Sequence, residues 1–129
     1  MVGIVVISHS EKLAEGILEI TEQMAKNAPV VAVGGTNDGR IGTDINRILA
    51  GINEVYSDDG VLIFYDLGSA MMNAEMAVEF LDEDKKRNIE IVDAAFVEGV
   101  ISAAVYSNIN MDKEFILEEM KKINIDKRN

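Results

Sequence analysis

The chain has 129 residues and a mass of 14.1 kDa, and its balance of 48% hydrophobic and 27% charged residues excludes collagen-like, low-complexity and wholly disordered classes. Twelve basic against 23 acidic side chains leave a formal charge of −11, which excludes nucleic-acid binding driven by counterion release. Cysteine is absent and there is one histidine, so disulfides, thiolate chemistry and a histidine-rich zinc site are excluded too, and no pattern advertises another metal.

At this mass the folded surface is expected to be about 6,700 Å², that of one compact domain over residues 1–129. No apolar run approaches the ~20 residues that span a bilayer, and the N-terminus has neither a basic n-region nor a cleavage site. The expectation is a soluble, cytoplasmic protein with no membrane and no nucleic acid among its partners.

Val2 to Ile7 is a run of Gly, Ile and Val that fits a strand buried on both faces. Beyond Ser8-His9-Ser10, the apolar residues Leu13, Ile17, Ile20 and Met24 recur at helical spacing, with Glu11, Lys12, Glu15, Glu19 and Glu22 on the other faces. Pro29 ends that segment, and Val30 to Val33 starts a second strand. From Gly34 to Thr43 runs a loop with four glycines, including Gly35 and Gly42, that permits positive φ and close backbone approach. Thr43 or Asp44 caps a helix that carries Ile45, Ile48, Leu49 and Ile52 to about Val55. Asp58-Asp59-Gly60 then turns into a third strand, Val61 to Tyr65.

Asp66-Leu67-Gly68-Ser69 leads from that strand to a helix with Ala70, Ala74, Ala77, Val78 and Leu81 on one face. The polar stretch Asp82 to Asn88 precedes a fourth strand, Ile89 to Val92. Val97-Glu98-Gly99 comes before an alanine-rich helical segment reaching about Ser107, and Asp112 caps a last helix with Ile116, Met120 and Ile123 inward. The charged tail Asp126 to Asn129 is expected to fray into solvent.

Four strands alternating with helices specify an α/β fold, a parallel sheet with right-handed crossovers and helices on both faces. Such sheets bind ligands outside the carboxyl ends of their strands. Here those ends read Ser8-His9-Ser10, Gly34 to Thr43, Asp66 to Ala70 and Phe96 to Gly99. His9 at such an end suits a nucleophile or base, and equally an ordinary loop histidine at a helix start. Asp66 suits a carboxylate that fixes the imidazole tautomer, or a turn and cap residue. Backbone N–H groups around Gly68, Ser69 and Ala70 would head a helix, where donors and dipole suit a phosphoryl oxygen. The glycine-rich loop lacks the order and the lysine of a P-loop, and no G-x-G-x-x-G follows the first strand. Arg40 suits phosphate compensation or solvation, and Met71, Met72 and Met76 suit packing and a dimer surface.

Taken together, Ile4-Val5-Val6-Ile7-Ser8-His9-Ser10, Gly34-Gly35-Thr36 with Ile41-Gly42-Thr43, Asp66-Leu67-Gly68-Ser69-Ala70 with Asn73 and Glu75, and Val97-Glu98-Gly99 resemble the DhaM family. These are phosphocarrier subunits of phosphoenolpyruvate-dependent dihydroxyacetone kinases, related to mannose-class enzyme IIA domains, and the resemblance covers nearly the whole chain. It implies a sheet in the order 2-1-3-4, a homodimer, phosphorylation at His9 and an orienting contact from Asp66. Gly68, Ser69 and Ala70 then border the phosphoryl group, with Gly35, Thr36, Gly42 and Thr43 in the loop beside it. It further implies that phospho-HPr is the donor, that ADP on an ADP-binding kinase subunit is the acceptor alongside a dihydroxyacetone-binding subunit, and that no cofactor sits on this chain. Some members continue into fused carrier domains; a chain ending at Asn129 is expected to use a separate donor.

The alternatives are a mannose-class enzyme IIA that feeds a sugar permease with the same phosphohistidine chemistry, and a flavodoxin-like FMN carrier with phosphate at Ser8, Ser10 and the first helix. The absence of tryptophan and scarcity of aromatics count against a flavin. An aspartyl-phosphate receiver needs acidic residues at the end of the first strand, where Ser-His-Ser stands.

Overall fold

All six residues of the first strand, β1 (Gly3–Ser8), are buried, so both faces of the sheet around it are covered. The structure, a computed structural model, describes residues 1–127. From β1 the chain continues through α1 (Glu11–Met24), β2 (Val30–Gly34), α2 (Ile45–Val55), β3 (Val61–Tyr65), α3 (Gly68–Glu79), α4 (Glu83–Lys86), β4 (Ile89–Val92), α5 (Phe96–Asn108) and α6 (Lys113–Met120), then a 3-10 turn at Lys121–Ile123. The strands form one parallel sheet in the order β2-β1-β3-β4, as the resemblance implies. The accessible surface is 6700 Å², the value that the mass predicts. Among the described residues, no helix is long and apolar enough to cross a membrane.

The strand order decides where the helices go. The chain leaves β1 for β2 on one side, then passes β1 to reach β3 and β4 on the other, so right-handed crossovers put α1 on one face and α2 and α3 on the opposite one. Ile4 and Val6 of β1 therefore share a core with Ile17 of α1 and with Val100, Ala103 and Ala104 of α5. Their neighbours Val5 and Ile7 point the other way, into a core with Ile48 and Ile52 of α2 and Ala70, Ala74 and Ala77 of α3. The reversal between β1 and β3 leaves a crevice at their carboxyl ends, where His9 follows β1 and Asp66 follows β3.

The face that α1 turns inward differs from the one its large apolar residues predict. Leu13, Ile20 and Met24 are 42%, 43% and 57% exposed, while Ala14, Ile17 and Thr21 are buried. Gly34 supplies the reason: a Cβ there would lie 2.6 Å from the Cα of Glu11 and 2.7 Å from the Ser10 carbonyl oxygen. The first turn of α1 lies so close to the end of β2 that only small side chains fit between them, and Ala14 occupies that place.

Three other expectations shift. The polar stretch 82–88 contains α4, capped by the Asp82 side chain, with Glu83 and Asp84 at its start and Lys85 and Lys86 at its end complementing the helix dipole. Helix α5 begins at Phe96, so Val97-Glu98-Gly99 is its first turn rather than its approach, and Gly99 is buried against Phe64. The tail does not fray at Lys127, which folds back onto the end of β3; Arg128 and Asn129 lie outside the described residues.

Gly34→Ala is expected to lower stability by about 1–3 kcal/mol, because the new methyl meets backbone rather than a movable side chain. Urea unfolding measures this as a lower midpoint at unchanged slope. An unchanged midpoint would show that α1 can withdraw without loss.

Candidate functional site

The parallel register of β1 and β3 pairs Ile7 with Tyr65, and the Asp66 N–H donates to the Ile7 carbonyl at 3.2 Å. That pairing carries the next residues, Ser8 and His9 on one strand end and Asp66 on the other, to the same height. Four donors then converge on the Asp66 carboxylate. The Ser8 hydroxyl and the His9 backbone N–H donate to Oδ2 at 2.9 and 3.0 Å. The His9 ring nitrogen Nδ1 and the Leu67 backbone N–H meet Oδ1 at 2.9 and 2.7 Å. Both side chains are largely shielded, with 20% of His9 and 14% of Asp66 exposed.

Burial pushes the Asp66 pKa up, but the hydrogen bonds from His9 backbone and ring, from Ser8 and from Leu67 together outweigh it and hold the carboxyl below its ordinary value. An ionised carboxylate only accepts, so Nδ1 carries the proton and the lone pair of the neutral ring lies on Nε2. Nε2 points to the Ser69 hydroxyl, 2.6 Å away on the exposed side of the site. Every polar group of His9 other than Nε2 is thus tied inward, since its carbonyl also accepts from the Gly42 N–H at 2.9 Å.

Gly42 belongs to the glycine-rich loop, which the structure brings to His9 through its backbone. Gly42 adopts φ +140 and Gly35 φ +72, conformations that favour glycine, and the Gly35 N–H donates to the Ser8 carbonyl at 3.2 Å. Thr36 faces away, bonding Asp38 and the Arg40 backbone within the loop. Arg40 pairs with Asp38 instead of turning to the histidine. Thr43 accepts a hydrogen bond from Asn73 of α3, a latch between loop and helix. At the head of α3, the Ala70 N–H already donates to the Leu67 carbonyl at 2.9 Å, and Ala70 is buried. Gly68 and Ser69 precede it in the first turn, where backbone donors have no intrahelical acceptor.

Two residues near the site escaped the sequence reading as participants. Ser8 is fully buried; its hydroxyl donates to Asp66 and accepts from the Ser10 N–H at 3.0 Å. The Ser10 hydroxyl caps α1 through the Leu13 N–H. With both hydroxyls so engaged, the phosphate site of the flavin alternative has other occupations. Lys127 is the second, and no local signal marks it, because its partners lie at the end of β3, just beyond β4 and at the start of α5.

Asp66→Asn is expected to cost on the order of 1–3 kcal/mol at neutral pH, by replacing an acceptor of four hydrogen bonds with an amide. The gap closes on acidification. The wild-type carboxyl contributes stability that is present above its unfolded pKa, near 3.8, and is lost as pH falls through the lower folded value. Unfolding curves of both proteins across that range test this; a gap that persists in acid would show the loss is not electrostatic.

Residues 3–117 match the family described as PTS system fructose IIA component, EIIA-man. The chain is 40% identical over 124 residues to the phosphoryl donor subunit DhaM of PEP-dependent dihydroxyacetone kinase 2 from Listeria innocua, covering 95% of this chain and 99% of that one. It is 34% identical over 125 residues to the phosphotransferase subunit DhaM of the PTS-dependent dihydroxyacetone kinase from Lactococcus lactis, covering 97% and 98% respectively. A crystal structure of a protein of unknown function superposes with a TM-score of 0.84 at 37% identity, over 95% of this chain and 94% of its own. By fold and by near full-length identity, the chain belongs to the EIIA-man family and, within it, to the DhaM phosphoryl donor subunits.

Proposed function

We propose that this chain is a phosphohistidine carrier that takes a phosphoryl group from phospho-HPr onto His9 and passes it to ADP on the ADP-binding subunit of a dihydroxyacetone kinase, next to a dihydroxyacetone-binding subunit. The observation that carries this reading is the clamping of Nδ1 by Asp66, which leaves a single outward lone pair on Nε2. In the loading step Nε2 attacks phosphorus, a new N–P bond forms as the donor's N–P bond breaks, and the electron pair returns to the donor imidazole. The Nδ1 proton stays where it is. The positive charge that this leaves on the His9 ring is balanced by Asp66. In the unloading step a β-phosphate oxygen of ADP attacks, the N–P bond to His9 breaks, and Nε2 recovers its lone pair.

The work of this chain is positioning and electrostatics. The Ser69 hydroxyl yields its place at Nε2 to phosphorus and turns to a phosphoryl oxygen, with the Gly68 and Ser69 N–H groups beside it. Gly35 and Gly42 hold the loop against the site through their backbone N–H groups, Thr43 latches it to α3, and Thr36 braces the loop from within. The nucleotide belongs to the acceptor subunit, and the carrier has no cofactor of its own. Two copies pack through α3 and its C-terminal cap, where Met72, Met76 and Phe80 recur four residues apart and are 61%, 53% and 72% exposed. The surroundings are cytoplasmic, where these partners operate.

Incubating the purified chain with phosphoenolpyruvate, enzyme I and HPr is expected to add one acid-labile phosphoryl group, read by intact mass, and His9→Ala is expected to add none. Label on His9→Ala, or label stable in acid, would overturn the reading. Asp66→Asn is expected to slow loading about 10–100-fold while HPr itself is phosphorylated normally. With both kinase subunits present, the loaded chain should support dihydroxyacetone phosphate formation, and alone it should bind ADP and ATP weakly. Transfer to a mannose-class permease subunit, with none to the kinase, would move the chain to sugar transport and keep the His9 chemistry. Sedimentation should show a dimer that Met76→Glu dissociates; a wild-type monomer at working concentration would remove the dimer.

A further inference from the structure

The tail folds back across the carboxyl ends of β3 and β4 and the first residues of α5 and α3. The Lys127 ammonium donates to the carbonyl of Tyr65, the residue before Asp66. It stands 4.2 Å from the centre of the Tyr65 ring and 5.6 Å from that of Phe96 at the start of α5. The Lys127 backbone N–H donates to Asp93 Oδ1 at 3.1 Å, just beyond β4, and its carbonyl oxygen approaches within 3.9 Å of a Cβ built on Gly68 at the head of α3. Burial lowers the pKa of this ammonium, opposed by the attraction of Asp93 and Asp66. The basic side chains of the glycine-rich loop and α2 are committed elsewhere: Arg40 to Asp38, and Arg47 to the Thr36 carbonyl at 2.9 Å.

Phosphoryl oxygens carry about −2 charges and the phosphorylated ring about +1, so loading adds a net charge of about −1 to a site that already holds an ionised aspartate, on a chain of net charge −11. We propose that Lys127 is a positioning residue of this site: its ammonium, fastened to the end of β3 next to Asp66, offsets the negative charge that accumulates when His9 is phosphorylated. The inference rests on the carrier reading of His9. Lys127 acts through the potential at the site and touches neither the ring nor the phosphoryl group in the described geometry.

The test compares the wild-type chain with Lys127→Met, which keeps an apolar stem over the two rings and removes the charge, and with Lys127→Arg, which keeps the charge. Each is equilibrated with phospho-HPr, and the phosphoryl partition is read by intact mass at low and at high ionic strength, beside the unfolding midpoint. Lys127→Met is expected to shift the partition toward HPr about three- to tenfold at low salt and much less at high salt, while Lys127→Arg stays near wild type. Lys127→Gln, which still offers a donor to the Tyr65 carbonyl, is expected to match the methionine variant and takes its place if that variant does not fold. Folded Met or Gln variants that partition like wild type at both salts would overturn the proposal and reduce Lys127 to a packing residue. Failure of the wild-type chain to accept phosphoryl from HPr would overturn the carrier reading instead.

Discussion

The carboxylate of Asp66 is the acceptor on which the local architecture turns. Its two oxygens receive two donors each, three from the end of β1 and one from its own chain neighbour Leu67. Charge-assisted hydrogen bonds of this kind are stronger than neutral ones, and their lengths of 2.7 to 3.0 Å lie in the range of good geometry. One side chain therefore joins two strand ends that are more than fifty residues apart in sequence, sets the orientation of an imidazole, and decides which of its nitrogens holds the proton. The core supports this arrangement from beneath, because β1 and β3 are buried throughout and their register is fixed by packing on both faces.

The charge distribution follows a second constraint. A carrier that holds phosphoryl only in transit must not bind it too well, since an affinity equal in loading and unloading retards release. The His9 site matches that requirement in its composition: one neutral hydroxyl at Nε2, backbone amides at a helix start, and an aspartate on the far side of the ring. The arginines of the neighbouring loop and α2 are held by a carboxylate and a carbonyl instead of facing the ring. On the proposed reading such a site would stabilise the moving phosphoryl group moderately, and the net charge of −11 on the chain weighs against long retention.

Much of this could be read before any coordinates. The third and fourth strands have the bounds expected because the one is an apolar run and the other an Ile-Glu-Ile-Val segment, each closed by a turn or polar residue, and local composition alone marks both ends. His9 and Asp66 stood out because the carboxyl ends of strands are where such sheets bind ligands; their adjacency needed the strand order, which came from the family resemblance and not from periodicity. The α1 face could not be read from its own residues, because Gly34, in another element, sets how closely the helix approaches. Ser8 was hidden for a related reason: a buried serine is unremarkable until the carboxylate it serves is in place. The folded-back tail depends on Tyr65, Phe96 and Asp93 meeting at one end of the sheet, a conjunction that a charged C-terminal segment does not announce.

The fastening of His9 on its amide, its carbonyl and Nδ1 has a consequence for timing. A side chain already held in one rotamer has little conformational entropy left to lose when a partner arrives, so the imidazole itself need not rearrange before it reacts. In the proposed relay, encounter and separation would then set the pace, and traffic through the carrier would scale with the concentrations and on-rates of the proteins it meets.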